Sequence, residues 1–168
     1  MRRLLKGIDS ISENSGIWAS WFCVALVLVL TYETTARYIF NAPTIWAHVT
    51  AMMLYGTIGM MGLAYTDLHD GHIRVDVLYA RLRPRARAII DVILALIVLI
   101  PLLYVLIRIS YFWMIKSITE HEVIMESYWY PPAYPFRVMM LVALLLFSLQ
   151  SAARFIRDLH ILIKSETL

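Results

Sequence analysis

Long stretches without a formal charge constrain this chain more than any other feature. Nineteen uncharged residues separate Glu13 from Glu33, the interval Tyr38–Thr66 contains no Asp, Glu, Lys or Arg, and Val92–Ile107 and Val138–Ala153 supply 16 each. A helix crossing the roughly 30 Å hydrocarbon layer needs about 20 mainly apolar residues. The chain is 61% hydrophobic and 16% charged, with a mean hydropathy of +0.70, more apolar surface than a water-soluble fold can hide. The charged residues gather into short segments between the runs. The expectation is an all-α membrane protein with four transmembrane helices, residues 1–168 forming a single integral membrane domain, and not a soluble enzyme.

The first span is placed at about residues 16–40 and is read as retained, because its apolar stretch far exceeds a signal-peptide core and no small-residue cleavage site follows. Asn41-Ala42-Pro43-Thr44 breaks it, since proline lacks a donor and pushes the preceding residue toward extended backbone. The second span covers about 45–66, where Gly56, Gly59 and Gly62 form a small-residue side that lets another backbone approach. The connection from Asp67 to Arg87 holds five arginines, and its apolar residues fit a short amphipathic surface helix at about 73–83. Span three runs over about 88–116, interrupted by Pro101. Span four runs over about 135–157 and opens on Pro135, a favourable first-turn residue. Between them lies an exposed loop with Glu120, Glu122, Glu126, the aromatic run Tyr128-Trp129-Tyr130 and three prolines.

Eleven of the fifteen Lys and Arg residues fall in 1–13, 67–91 and 154–168. If those segments share one side, the positive-inside rule puts them and both ends in the cytoplasm of a bacterial or archaeal inner membrane. The net charge of +3 then reflects topology and not a nucleic-acid partner.

Chemistry is sparse. The lone Cys23 builds neither a disulfide framework nor a cysteine metal site, and no phosphate loop, metal-spaced cluster or nucleophile with an evident base occurs. His48, His69, His72 and His121 invite a haem reading, yet only His48 falls within a span. Glu33 and Arg37 are spaced for an ion pair on one helix face. Arg108 and Arg137 lie toward the same outer side, where snorkelling to the headgroups is the plain reading.

Several segments together resemble the small membrane subunit, DctQ-type, of tripartite ATP-independent periplasmic (TRAP) transporters. Arg37-Tyr38-Ile39-Phe40-Asn41-Ala42-Pro43 followed by Trp46 is similar to the family's passage from span one to span two. Gly62-Leu63-Ala64-Tyr65 and Gly71-His72-Ile73-Arg74-Val75-Asp76-Val77-Leu78 resemble its cytoplasmic connection. Glu126-Ser127, Pro132 through Pro135 and Gln150 resemble its approach to and passage through span four. His48 departs from the pattern, which often has an acid shortly after the tryptophan.

The resemblance implies a non-catalytic scaffold that binds no substrate and carries no cofactor. In such systems a periplasmic substrate-binding protein captures an organic acid and a large multi-span subunit imports it with sodium, so sodium coupling belongs to the large subunit. On this reading Glu33, Arg37, Trp46, Gly56, Gly59, Arg108 and Arg137 are offered to the large subunit and the lipids around it. Glu120, Glu122 and Glu126 are offered to the binding protein. Two other classes stay open: a membrane anchor of a respiratory or redox complex, and an autonomous small transporter.

Overall fold

The computed structural model describes residues 2–69 and 84–164. The proposed amphipathic helix at 73–83, with Gly71, His72 and Arg74, lies outside the described residues, as do 165–168. Helix α1 spans Arg2–Tyr38, α2 Ala47–Leu68, α3 Pro84–Leu94, α4 Ile100–Thr119 and α5 Tyr134–Lys164. A single π-helical turn, Ala95–Leu99, joins α3 to α4. Four segments are long and apolar enough to cross a membrane: Arg3–Tyr38, Ala47–Leu68, Ile89–Thr119 and Tyr134–His160. The chain is therefore an all-α membrane protein, and among the described residues it has no strand beyond one isolated bridge between Val123 and Pro132.

Three helices reach well beyond the span edges read from sequence. Helix α1 continues to Arg2 through Asp9, Ser12 and Glu13, residues too polar for a lipid-facing span. It does so because those side chains find partners on other helices. Helix α5 likewise runs to Lys164, past the expected close at 157, since Arg157 is satisfied by α1. The third rod is already helical at Pro84, ahead of the expected opening at 88. Farther along that rod, Pro101 cannot donate to the carbonyl four residues back. The chain meets this with the widened turn just before it, where the Ile100 N–H reaches the Ala95 carbonyl five residues away.

Helix α1 packs along α2, and α2 packs along α5. Helix α5 also touches α1 on one side and carries α3 and α4 on the other, while α3 and α4 make at most marginal contact with α1 or α2. Small residues dominate the seams: Ala47, Ala64, Ala143 and Ala153 are buried, together with Val49 and Leu144. Close backbone approach and van der Waals fit hold such helices in a solvent as apolar as their own side chains. Gly16 is one such point, because a side chain there would collide with the Tyr65 ring of α2. The large apolar side chains instead point outward along α1 and α4, among them Trp18, Trp21, Val27 and Leu28, then Tyr104, Tyr111 and Phe112.

Candidate functional site

Polar side chains concentrate at the two ends of the bundle. At one end the Glu33 carboxylate accepts the Arg37 Nε–H at 2.9 Å and also pairs with Arg37 Nη2. Its other oxygen accepts the Thr44 N–H at 3.1 Å and the Thr44 hydroxyl. The acid is thereby shared between the last turn of α1 and the turn leading into α2. That turn begins with Asn41 in the left-handed region, φ 50°, and the Ala42 N–H bonds the Ala36 carbonyl at 2.9 Å. Trp46 stacks on Tyr32 with centroids 5.8 Å apart. Glu33, Arg37 and Trp46 thus come together as one fastening of α1 to α2.

Arg137 anchors the long loop at the same end. Its Nη1 donates to the Trp113 carbonyl at 2.9 Å, its Nη2 to Glu122 at 2.6 Å, and its guanidinium lies 5.0 Å from the centre of the Trp113 ring. The snorkelling expected from sequence gives way to this arrangement because α4 and the loop present a carbonyl, a carboxylate and an aromatic face together. His121 stands at φ 48° just beyond α4, and the Glu122 N–H returns to the Ser117 carbonyl at 3.1 Å, the six-to-one closure of a Schellman ending. Pro131 and Glu122 carbonyls accept N–H groups of Ile124 and Ala133, each at 2.9 Å. The loop between Glu120 and Ala133 is therefore pinned at both edges. Glu122 faces inward to Arg137, whereas Glu120 and Glu126 are exposed and Glu120 lies 3.9 Å from Lys116.

The remaining expected residues separate. Gly56 admits the Phe136 ring of α5, which stands 2.7 Å from where a Cβ would be; Gly59 and Gly62 face open space. The small-residue side therefore serves a seam within the chain at Gly56 and leaves Gly59 outward. Arg108 stands exposed on α4, with its Nη1 3.4 Å from the Tyr104 hydroxyl.

At the opposite end two fastenings appear that sequence reasoning missed. Arg157 Nη2 reaches both oxygens of Asp9, at 2.7 and 2.6 Å. Beside them Gln150, 1% exposed, donates to Asp9 at 3.2 Å and accepts the Ser12 hydroxyl at 2.8 Å. In the second, Arg154 and the Ser151 hydroxyl both bond Asp67 at the foot of α2. His69 bonds Glu13 at 2.8 Å next to it. Packing of the helix ends partly buries Asp9 and Arg157 and nearly covers Asp67, and an acid on one helix beside an arginine at matched depth on the next pairs there because an unpaired, desolvated charge is expensive. That depth match, counted from opposite loops, was the available signal.

Chemically, these groups join helix to helix. A cavity of about 320 Å³ opens between α5 and the π turn, lined by Leu94, Val98, Leu99 and Leu102 and also by Asp67, Asp91, Arg154 and Asp158. Among the described residues no three His, Cys, Asp or Glu side chains converge as a metal would require.

The family model for the DctQ component of tripartite ATP-independent periplasmic transporters matches residues 26–160. No curated protein matches the chain. The matched stretch contains α2 through α4 whole, the pinned loop, and α5 as far as His160.

Proposed function

Because this chain belongs to the DctQ family, the small membrane component of tripartite ATP-independent periplasmic transporters, we propose that it is the stationary scaffold of such a transporter. It pairs with a large multi-span subunit that moves the solute, and a periplasmic binding protein delivers that solute. The chain is a transporter component and not an enzyme. Uptake of an organic acid with sodium, carried out by the large subunit, is part of the proposal and is supported by family membership alone.

One observation carries the scaffold reading: two clusters of polar side chains are spent in fastening α5 to α1 and α2. Asp9, Ser12, Gln150 and Arg157 bond one another, as do Asp67, Ser151 and Arg154, so these seven side chains are engaged in rigidity. A carrier that shuttles its substrate domain across a bilayer needs a neighbour that does not yield. Helices clamped at both ends supply that resistance. We further place the Asp9 end in the cytoplasm and the Glu33 end outside, in keeping with the arginine excess of the segments flanking Asp9, Asp67 and Arg157.

Reconstitution tests the reading. Liposomes with the large subunit, the binding protein and this chain are expected to accumulate solute down a sodium gradient, and omission of this chain should abolish uptake. Full uptake by the large subunit alone would overturn the scaffold role. The pinned loop, with Glu120 and Glu126 exposed, is the surface we assign to the binding protein. Reversing both charges should weaken docking measured on the assembled complex.

A further inference from the structure

An arginine rooted within a hydrocarbon layer needs a counter-charge, and Arg108 has none among the described residues: its side chain bonds only the Tyr104 hydroxyl. Arg108 precedes Lys116 by eight residues, about 12 Å along the helix. Lys116 lies over the Trp113 ring at 5.2 Å, the kind of aromatic and amphipathic pairing that marks a membrane boundary. Side chains on a helix lean toward its N-terminus, which on α4 is away from that boundary, and Tyr104 is one turn deeper. The bond to Tyr104 draws the guanidinium toward that deeper turn.

Around it, Tyr104, Arg108, Tyr111, Phe112 and Ile115 recur at helical spacing on one face of α4, and the four uncharged ones are 61, 56, 63 and 41% exposed. A groove of about 520 Å³ follows this face, closed on its far side by Leu141 and Leu145 of α5. Arg108 is the one charged residue in a lining otherwise apolar but for the Tyr111 hydroxyl. A lipid phosphate rides at headgroup level, a turn or two above Arg108, whereas a carboxylate on a neighbouring helix can stand at any depth.

We propose that this face of α4 seats a membrane-spanning helix of the large subunit, and that the helix presents an aspartate or glutamate to Arg108. The inference rests on the assignment of this chain as the small member of a two-subunit membrane unit. The pair is formed in a region where water cannot compete, so it fixes the register of the two subunits as well as holding them.

A photo-crosslinking residue placed at position 112, with position 21 on α1 as a comparison, tests this in native membranes carrying the whole transporter. Position 112 should capture a membrane-spanning segment of the large subunit with an acid within one turn of the attachment point. Arg108→Gln should lower that yield about tenfold or more, and Arg108→Lys should restore most of it. Capture of phospholipid alone at position 112, capture of a segment without an acid, or an unchanged yield in Arg108→Gln would overturn the inference while the subunits still co-purify. Failure of the unaltered chain to co-purify with any large subunit would instead overturn the assignment on which it rests.

Discussion

Arg154 grips Asp67 twice through one nitrogen, donating from Nη1 to the side-chain oxygen and to the main-chain carbonyl, each at 2.9 Å. The second bond satisfies a carbonyl in the last turn of α2, where helical partners run out. Asp67 is 7% exposed, so removing Arg154 strands a buried carboxylate. Arg154→Ala is expected to destabilise the detergent-solubilised chain by about 3 kcal/mol. Ser151→Ala, which removes one neutral donor to the same acid, should cost about 1 kcal/mol. Thermal unfolding monitored by tryptophan fluorescence distinguishes the two. Equal, small shifts would mean the clamp is ornamental.

Gly56 and Gly59 of α2 should respond in opposite directions. Gly56→Ala drives a methyl into the Phe136 ring, which stands 2.7 Å from the added carbon, and should cost about 1–2 kcal/mol. Phe136→Leu in the same chain is expected to recover part of it. Gly59→Ala meets nothing within 4 Å and should stabilise the isolated chain by about 0.5–1 kcal/mol through helix propensity. Unfolding temperatures of the purified variants check the contrast.

Glu33 holds the turn between α1 and α2 by accepting from both Arg37 and Thr44. Glu33→Ala leaves the Thr44 N–H and hydroxyl without that acceptor, and the segment Ile39–Ile45 should loosen while the rest of the bundle stays folded. Amide hydrogen exchange across this segment is expected to accelerate about tenfold, the rate equivalent of one lost charge-assisted bond. Unchanged exchange would assign the turn's order to Asn41 and Pro43 instead.

His121 closes α4 with φ 48°, a conformation that Gly enters freely and β-branched residues resist. His121→Gly should preserve or slightly raise stability, and His121→Val should lower it by about 1–2 kcal/mol. A histidine serving as a ligand would instead make both substitutions equally damaging to function.

Four spans were legible from the uncharged runs because hydropathy reports each helix separately. Their partners were not, since Asp9 and Arg157 are 148 residues apart and enter a topology count only as isolated charges. Gln150 stood out in the sequence through family resemblance, yet its bonds to Asp9 and Ser12 depend on α1 continuing well before residue 16. Hydropathy alone places that boundary at Glu13. Arg137 was found at the expected end but not with its expected occupation, because only folding brings Glu122 and the Trp113 carbonyl to it.

The π turn at Ala95–Leu99 has a consequence for how the third rod is addressed. One extra residue in a helix advances everything beyond it by about 100° around the axis. The stretch from Ile100 to Thr119 therefore faces α5 at a fixed offset from the bearing that an unbroken α-helix continuing from Pro84–Leu94 would give it. Excising a single residue there would swing the Arg108 stripe a quarter-turn or more out of alignment without altering any side chain on it.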